Sequence, residues 1–293
     1  MNAALWDLYL SLHPSGSWKI PVTPQYGHLW LQEKQAQDAE LGDKPKAFDT
    51  PFRYSDSGKC GRALAYSALK YPREPFDMAG TMVTTLGTEI HEKVQNSISN
   101  YFDASFEVPS QVITSSGSAD GVIIDGEFRI LLEIKTMGGT AFKKSIGLSN
   151  KGISDTPAGP RSSAILQAAL NAVANKCHYI VIVHIGLEAV SKGLAQRAGL
   201  SEAERCVAEW IIPAEVFEPL ADQEILRQTE ILDSLNEGLL PERFAIGDDL
   251  GLESLSPEGS RQHWMCTYCS YLDACMEDGP GNPPVRVEIK EKV

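Results

Sequence analysis

The sequence predicts an α/β fold in which a mixed central sheet is flanked by helices. Three observations predict it. Between residues 81 and 102, Val83, Leu86, Ile90, Val94, Ile98 and Tyr101 recur at spacings of three and four, the period of an amphipathic helix. Residues 117–136, GSADGVIIDGEFRILLEIKT, alternate apolar and polar on both sides of Asp125-Gly126, which is the pattern of a β-hairpin. Residues 178–186, HYIVIVHIG, form a near-continuous apolar run, as expected of a strand buried on both faces.

The first fifty residues carry Trp6, Trp18 and Trp30, a short helix expected over 30–41, and breaks at Pro21, Pro24 and Pro45; no chemistry is evident there. Ser55, Asp56 and Ser57 are N-cap types ahead of a helix expected over 60–71, with Cys60 at its start. Backbone N–H groups at a helix start favour a thiolate, although a lone cysteine is also a small core hydrophobe. In the helix over 81–102, His91 stands beside the apolar stripe one turn after Gly87, where a missing Cβ permits close approach. A surface histidine between Glu89 and Glu92 is the plainer alternative.

A strand over 105–114 precedes the hairpin. With Asp125-Gly126 as a two-residue loop, Asp120 pairs with Leu131 and has Glu133 as its diagonal neighbour. Asp120, Glu133 and Lys135 then share a face, while Ile130, Leu132 and Ile134 point into a core. Two carboxylates so placed can share one divalent ion. Glu-x-Lys is also what the solvated face of an amphipathic strand carries. From Lys135 to Arg161 the chain has five basic residues, Lys135, Lys143, Lys144, Lys151 and Arg161, against the single acid Asp155. Such a Gly/Ser-rich loop suits phosphates beside a metal, or is simply solvated.

A second helix over 162–175 carries Gln167 among apolar neighbours. After the strand over 178–186, residues 187–204 read as a helical or loop insertion, 206–212 as a strand and 213–239 as a long helix opened by proline. The tail places Cys266, Cys269 and Cys275 as C-x2-C-x5-C. Three cysteines within ten residues suit metal ligation. A fourth thiolate must come from Cys60, Cys177 or Cys206; the last two start strands and read as core. Four thiolates hold zinc or a [4Fe–4S] cluster, and a triplet plus one remote cysteine leans toward the cluster.

Composition bounds the reading. The chain has 293 residues and a formal charge of -13, which argues against a surface basic all over but leaves room for a local basic groove. The start lacks a basic n-region and carries Asp7 within its apolar run, and no window approaches ~18 apolar residues, so a soluble, cytoplasmic protein without a membrane span is expected.

Taken together, these motifs resemble the RecB-like branch of the PD-(D/E)xK nucleases, closest to members with an iron–sulfur cluster: CRISPR-associated RecB-like exonucleases, their phage relatives and the AddB-type nuclease domain. Cys60-Gly61-Arg62 resembles the first cluster cysteine with its arginine. Leu86-Gly87 with His91 resembles the helix histidine, Asp120 the motif aspartate, Glu133-Ile134-Lys135 the core motif, Gln167 the helix glutamine, and Cys266, Cys269 and Cys275 the C-terminal triplet. The resemblance covers about residues 55–278, leaving 1–54 as an N-terminal extension and 279–293 as a tail.

The resemblance implies a restriction-endonuclease-like fold with cluster-bound terminal segments. It also implies an exonuclease hydrolysing DNA phosphodiesters, on single-stranded or end-processed DNA, in recombination, repair or spacer acquisition. It implies a protein partner from such a pathway and a possible phage origin. His91, Asp120, Glu133 and the Ile134 carbonyl would hold Mn2+ or Mg2+, with the imidazole tilting the choice toward Mn2+. Lys135 would orient the attacking water, and Gln167 would position that water or the lysine. Cys60, Cys266, Cys269 and Cys275 would hold the cluster, zinc being the other occupant. Arg62, Lys143, Lys144, Lys151 and Arg161 are candidate DNA contacts. One departure is Asn171, where the family often has tyrosine. A non-catalytic DNA-binding or scaffolding subunit on the same fold is the rival from another class.

Overall fold

A computed structural model describes residues 48–73, 78–149, 152–154, 158–243, 269–279 and 281–286, with single or paired positions at 32, 36, 254–255, 261–262 and 266. Most of the N-terminal extension, including nearly all of the helix expected over 30–41, and Lys151 lie outside the described residues.

The expected fold class is what forms. Six strands make one mixed sheet: β1 (Phe52–Arg53), β2 (Asp103–Gln111), β3 (Ser115–Asp125), β4 (Phe128–Met137), β7 (Tyr179–Gly186) and β8 (Val207–Pro213). A small separate hairpin pairs β5 (Leu148–Ser149) with β6 (Gly152–Ile153). The main path runs β1-β3-β4-β7-β8, with β2 antiparallel to β3. The β4–β7 pair is parallel, and the helix α4 (Ser162–Ala174) lies between these strands in the chain. A parallel pair needs such a crossover, and a helix supplies it.

The two faces of the sheet are covered by different helices. Leu131, Ile180 and Ile182 pack with Ala168, Leu170 and Ala172 of α4 and with Phe217 and Ala221 of α6 (Ala214–Asn236). On the other face Leu132, Ile134 and Val183 meet Val94 and Ile98 of α2 (Met78–Ile98). Each fully buried aliphatic side chain contributes roughly 1.5–3 kcal/mol. Adjacent residues of β4 thus bury into opposite cores, and the Glu133 face is not a solvated one.

The hairpin forms with a corrected turn. Asp125 pairs with Phe128, so the loop is Gly126-Glu127 and not Asp125-Gly126. Gly126 has φ +59, the positive value that the first central position of a tight hairpin turn requires. Moving a two-residue loop by one position shifts the register by two, which keeps every side chain on its expected face.

Two local expectations differ, and a third holds. Helix α1 spans Gly61–Ala68 with Cys60 itself at the N-cap, and Asp56 before it serves another turn: its Oδ2 accepts from the Arg53 N–H at 3.0 Å. The basic stretch after the hairpin is not all loop, because it contains α3 (Gly139–Ser145) and the small hairpin. In the insertion after β7, α5 spans Lys192–Ala198.

The first and last described segments pack together. Phe52, Leu64, Ala65 and Tyr66 pack with Ile231, Leu240 and Tyr271, close to Cys269 and Cys275. The helix α7 (Leu272–Asp278) is held by Tyr66 Oη, which donates to Asp278 Oδ2 at 2.6 Å. Phe52 and Arg53 pair with β3, and Leu240 N–H donates to the Pro283 carbonyl at 2.8 Å, so residues on both sides of the expected nuclease boundaries are tied into this fold. Among the described residues no helix is long and apolar enough to cross a membrane.

Candidate functional site: a carboxylate fork and a cysteine end

The site begins where two strands part. β3 and β4 pair from Asp125↔Phe128 as far as Gly121↔Leu132. Beyond that point β3 turns to pair with β1, at Ser115 and Ser116, while β4 continues alongside β7 to Met137. Asp120 stands at the fork. Its Oδ2 accepts from the Ile134 N–H at 2.7 Å, so the side chain replaces a missing rung of the ladder. The N–H and C=O of one strand residue leave on the same side. The Ile134 carbonyl therefore faces the fork as well.

Helix α2 closes the fork. Gly87 is what lets it approach: a Cβ there would stand 3.2 Å from Thr136 Oγ1 of β4. One turn later, His91 Nδ1 lies 3.6 Å from Asp120 Oδ1. Gln95, a further turn on, donates through Nε2 to the Asp120 carbonyl at 2.8 Å and to Glu107 Oε1 at 3.1 Å. Residues 87, 91 and 95 lie one turn apart on one helix face, so one stripe supplies the close approach, the imidazole and the brace.

Glu133 is fully buried. Lys135 Nζ forms an ion pair with its Oε1 at 2.6 Å, and Oε2 has no partner among the described residues. Burial pushes the Glu133 carboxyl up to about 7; Lys135 opposes that shift, Asp120 reinforces it and His91 opposes it. Burial pulls the Lys135 ammonium down, but the Glu133 charge and contact, with Asp120, outweigh it and raise its pKa. Lys135 Nζ also donates to Gln167 Oε1 of α4 at 3.0 Å. Helix α2 thus brings His91 to the fork from one face of the sheet, and α4 brings Gln167 from the other.

The cysteines gather at the far end. The Cys266 thiol is pushed up to about 11, first by burial and then by Cys60, Cys269 and Cys275. These four are therefore electrostatic neighbours, although Cys60 is separated from the triplet by most of the chain. Cys177, by contrast, is buried in the main core. Among the described residues no three His, Cys, Asp or Glu side chains already stand together as a metal cage.

The candidate DNA contacts divide. Arg161 is exposed at the N-cap of α4, and Lys143 and Lys144 lie in the last turn of α3. Arg62 is a correction. It is fully buried, and Nε, Nη1 and Nη2 donate to the carbonyls of Pro241, Gly279 and Gly281, leaving its guanidinium no face for a phosphate. The reason is topological: α1 lies under the returning C-terminal segment, whose orphan carbonyls need donors. Asn171 is also fully buried, and Ser110 Oγ donates to its Oδ1 at 3.5 Å. It points into the core, so it does not stand in for a surface tyrosine.

Sequence reasoning passed over three residues: Gln95, Glu224 and His184. Glu224 is buried on α6, where it accepts from the Gly58 N–H at 3.2 Å and from both Nε and Nη2 of Arg227. It thereby holds the loop that leads to Cys60. His184 was the legible one, as a polar residue inside an otherwise apolar run.

No protein-family model matches the sequence, and no curated protein sequence does. Among solved structures, the chain is similar to the protein SSO0001 at 17% identity and TM-score 0.44, covering 87% of this chain and 98% of that one. It is similar to an alkaline exonuclease from Laribacter hongkongensis at 16% identity and TM-score 0.42, covering 70% and 93%. It is similar to a phage-related exonuclease from Haemophilus somnus 129PT at 11% identity and TM-score 0.40, covering 64% and 95%. Likeness at this level says nothing of what this chain does, and the chemistry rests on its own side chains.

Proposed function

We propose that this chain is a metal-dependent deoxyribonuclease of restriction-endonuclease-like fold that digests DNA from an end. One observation carries the reading: Glu133 is a fully buried carboxylate with an unpartnered oxygen, at a strand fork that also holds Asp120, His91 and Lys135. A purely structural acid would be paired through both oxygens or replaced by an apolar side chain.

The residues fit a divalent cation. Glu133, Asp120, His91 and the Ile134 carbonyl are its candidate ligands, and a cation beside Glu133 would hold that carboxyl ionised. Magnesium-type sites keep several waters and take only one or two carboxylates, the remainder coming from substrate phosphate, so an all-protein cage is not required. When bound, the ion supplies Lewis acidity to the phosphoryl group and a more acidic water.

The chain's own groups do the rest. Asp120 stays fixed because its Oδ2 is held by the Ile134 N–H. Lys135 carries the positive charge that orients the attacking water and offsets charge developing on the phosphoryl oxygens. Gln167 holds the lysine from the far side. Arg161, Lys143 and Lys144 would contact backbone phosphates, and Lys151 is a further candidate from the sequence alone. Cys60, Cys266, Cys269 and Cys275 would make a four-thiolate [4Fe–4S] or zinc site tying α1 to the C-terminal segment; the Cys266 thiol, raised by burial and then by the other three cysteines, is one that a metal would ionise. We assign the substrate as DNA that is single-stranded or already has a free end, in a recombination, repair or spacer-acquisition setting with a protein partner.

The test is cleavage of DNA labelled at either end, with Mn2+, Mg2+ or EDTA, comparing wild type with Lys135→Ala. The expected outcome is metal-dependent, end-initiated loss of label that EDTA stops and Lys135→Ala slows by at least roughly 10³-fold. Tight DNA binding without cleavage under either metal would instead favour a scaffolding subunit.

A further inference from the structure

His184 sits in the middle of β7, where an aliphatic side chain would pack without cost. It is in register with Lys135 across the parallel β4–β7 pair, so the two side chains leave the same face of the sheet. Its ring meets Trp210 edge-on, with centroids 4.7 Å apart. The residue is fully buried, and neither Nδ1 nor Nε2 has a partner among the described residues.

A polar group buried without a partner is costly enough that each instance in a folded protein calls for an explanation. The surroundings supply one. Burial, then the charges of Arg161 and Lys135, hold the imidazole down at about 4, so at neutral pH the ring is uncharged. A neutral imidazole keeps one acceptor nitrogen and one donor. The Lys135 ammonium has three donors, and among the described residues its two contacts are Glu133 Oε1 at 2.6 Å and Gln167 Oε1 at 3.0 Å. An acceptor without a donor therefore lies on the strand beside a cation with a donor to spare.

We propose that one buried water joins His184 to the Lys135 ammonium, making His184 a positioning residue for that lysine. The water accepts from Nζ and donates to the imidazole acceptor nitrogen, and its second proton is free for a neighbouring oxygen. Buried waters characteristically make about three such bonds between groups that cannot reach each other. Lys135 is then held from three sides: by Glu133 along its own strand, by Gln167 from α4, and by His184 from β7. The consequence for rate rests on the nuclease reading given above. The bridge itself does not.

The test has two arms. A crystal structure of the intact protein at a resolution that shows ordered waters should place one within hydrogen-bond distance of both an His184 nitrogen and Lys135 Nζ. A dry contact there overturns the proposal. In the second arm, DNA cleavage is compared for wild type, His184→Phe and His184→Gln, with Tm recorded for each. His184→Phe should lower kcat by about 10- to 100-fold, the effect of losing a hydrogen bond to a charged group, and leave KM for DNA within about threefold. His184→Gln, which retains an acceptor, should recover most of that loss. A His184→Phe protein with wild-type kcat, or a His184→Gln protein no better than His184→Phe at equal Tm, overturns the proposal. If His184→Phe does not fold, the water and the His184→Gln rate decide. If the wild type does not cleave DNA at all, the nuclease reading fails, and the crystallographic arm still decides the bridge.

Discussion

The carboxylate fork and the cysteine end are built on opposite plans. The fork is held by backbone: β4 pairs with β7 from Ile130 to Met137, and the Asp120 side chain completes the ladder where β3 departs. The cysteine end adds, to the Leu240–Pro283 backbone bond, side chains reaching across the chain. Arg62 donates to three carbonyls of the C-terminal segment, Tyr66 to Asp278, and Arg73 Nε to Tyr271 Oη at 2.7 Å. The difference teaches which part a bound metal would order most. A sheet fixes its side chains whether or not an ion arrives, whereas segments far apart in the chain and joined by few bonds would gain order if four thiolates were tied to one centre.

The largest expected effect on stability falls at the cysteine end. Arg62→Met removes a buried guanidinium and strands the carbonyls of Pro241, Gly279 and Gly281. It should cost about 3–5 kcal/mol in urea unfolding and expose the C-terminal segment to proteolysis first. A cost below about 1 kcal/mol would mean that other contacts carry the junction.

Next is the pH response of the fork. The Glu133 carboxyl is raised in the folded chain to about 7 from an ordinary 4.5. The folded state therefore binds the extra proton, and stability falls as pH rises through that window, by roughly 3 kcal/mol for this group. The raised Lys135 pKa acts at high pH, outside the window. Glu133→Gln should match wild type at pH 5, exceed it in stability at pH 8 and abolish cleavage. Parallel pH–stability curves for the two proteins would contradict this. A buried acid that weakens the fold at working pH is what a site kept for function carries.

The metal terms come third. Cys269→Ser or Cys275→Ser should remove visible absorption near 400 nm from anaerobically purified protein and lower Tm, without changing DNA cleavage by more than the loss of folded protein explains. A colourless wild type with one stoichiometric zinc would replace the cluster by zinc. The smallest effect is Gly87→Ala. The helix gains about 1 kcal/mol of propensity, set against a Cβ only 3.2 Å from Thr136 Oγ1, so Tm should move by no more than a few degrees either way.

Much of the fork was legible because its logic is local. A period of two fixes which residues share a face, and the parity argument survived the turn moving from Asp125-Gly126 to Gly126-Glu127. The fork itself was not legible. It depends on β1 pairing with β3 at Ser115 and Ser116, a contact between distant segments with no signature in either. The full burial of Glu133 is of the same kind, since two helices from different parts of the chain create it. Arg62 misled for a related reason: an arginine beside a cysteine reads as a surface cation until the C-terminal carbonyls above it are known. Asn171 read as a departure from the family's tyrosine, and its burial against Ser110 was not readable from the sequence. The mixed sheet could be read from periodicity, but which face each helix covers could not.

The measurement that bears most directly on the fork is Mn2+ binding to intact protein, by titration calorimetry or electron paramagnetic resonance, for wild type, Asp120→Asn and Cys275→Ser. The account predicts a site that Asp120→Asn abolishes and Cys275→Ser leaves intact, because the fork is built by the sheet and not by the cysteine end. Unchanged Mn2+ binding in Asp120→Asn, or its loss in Cys275→Ser alone, would contradict it.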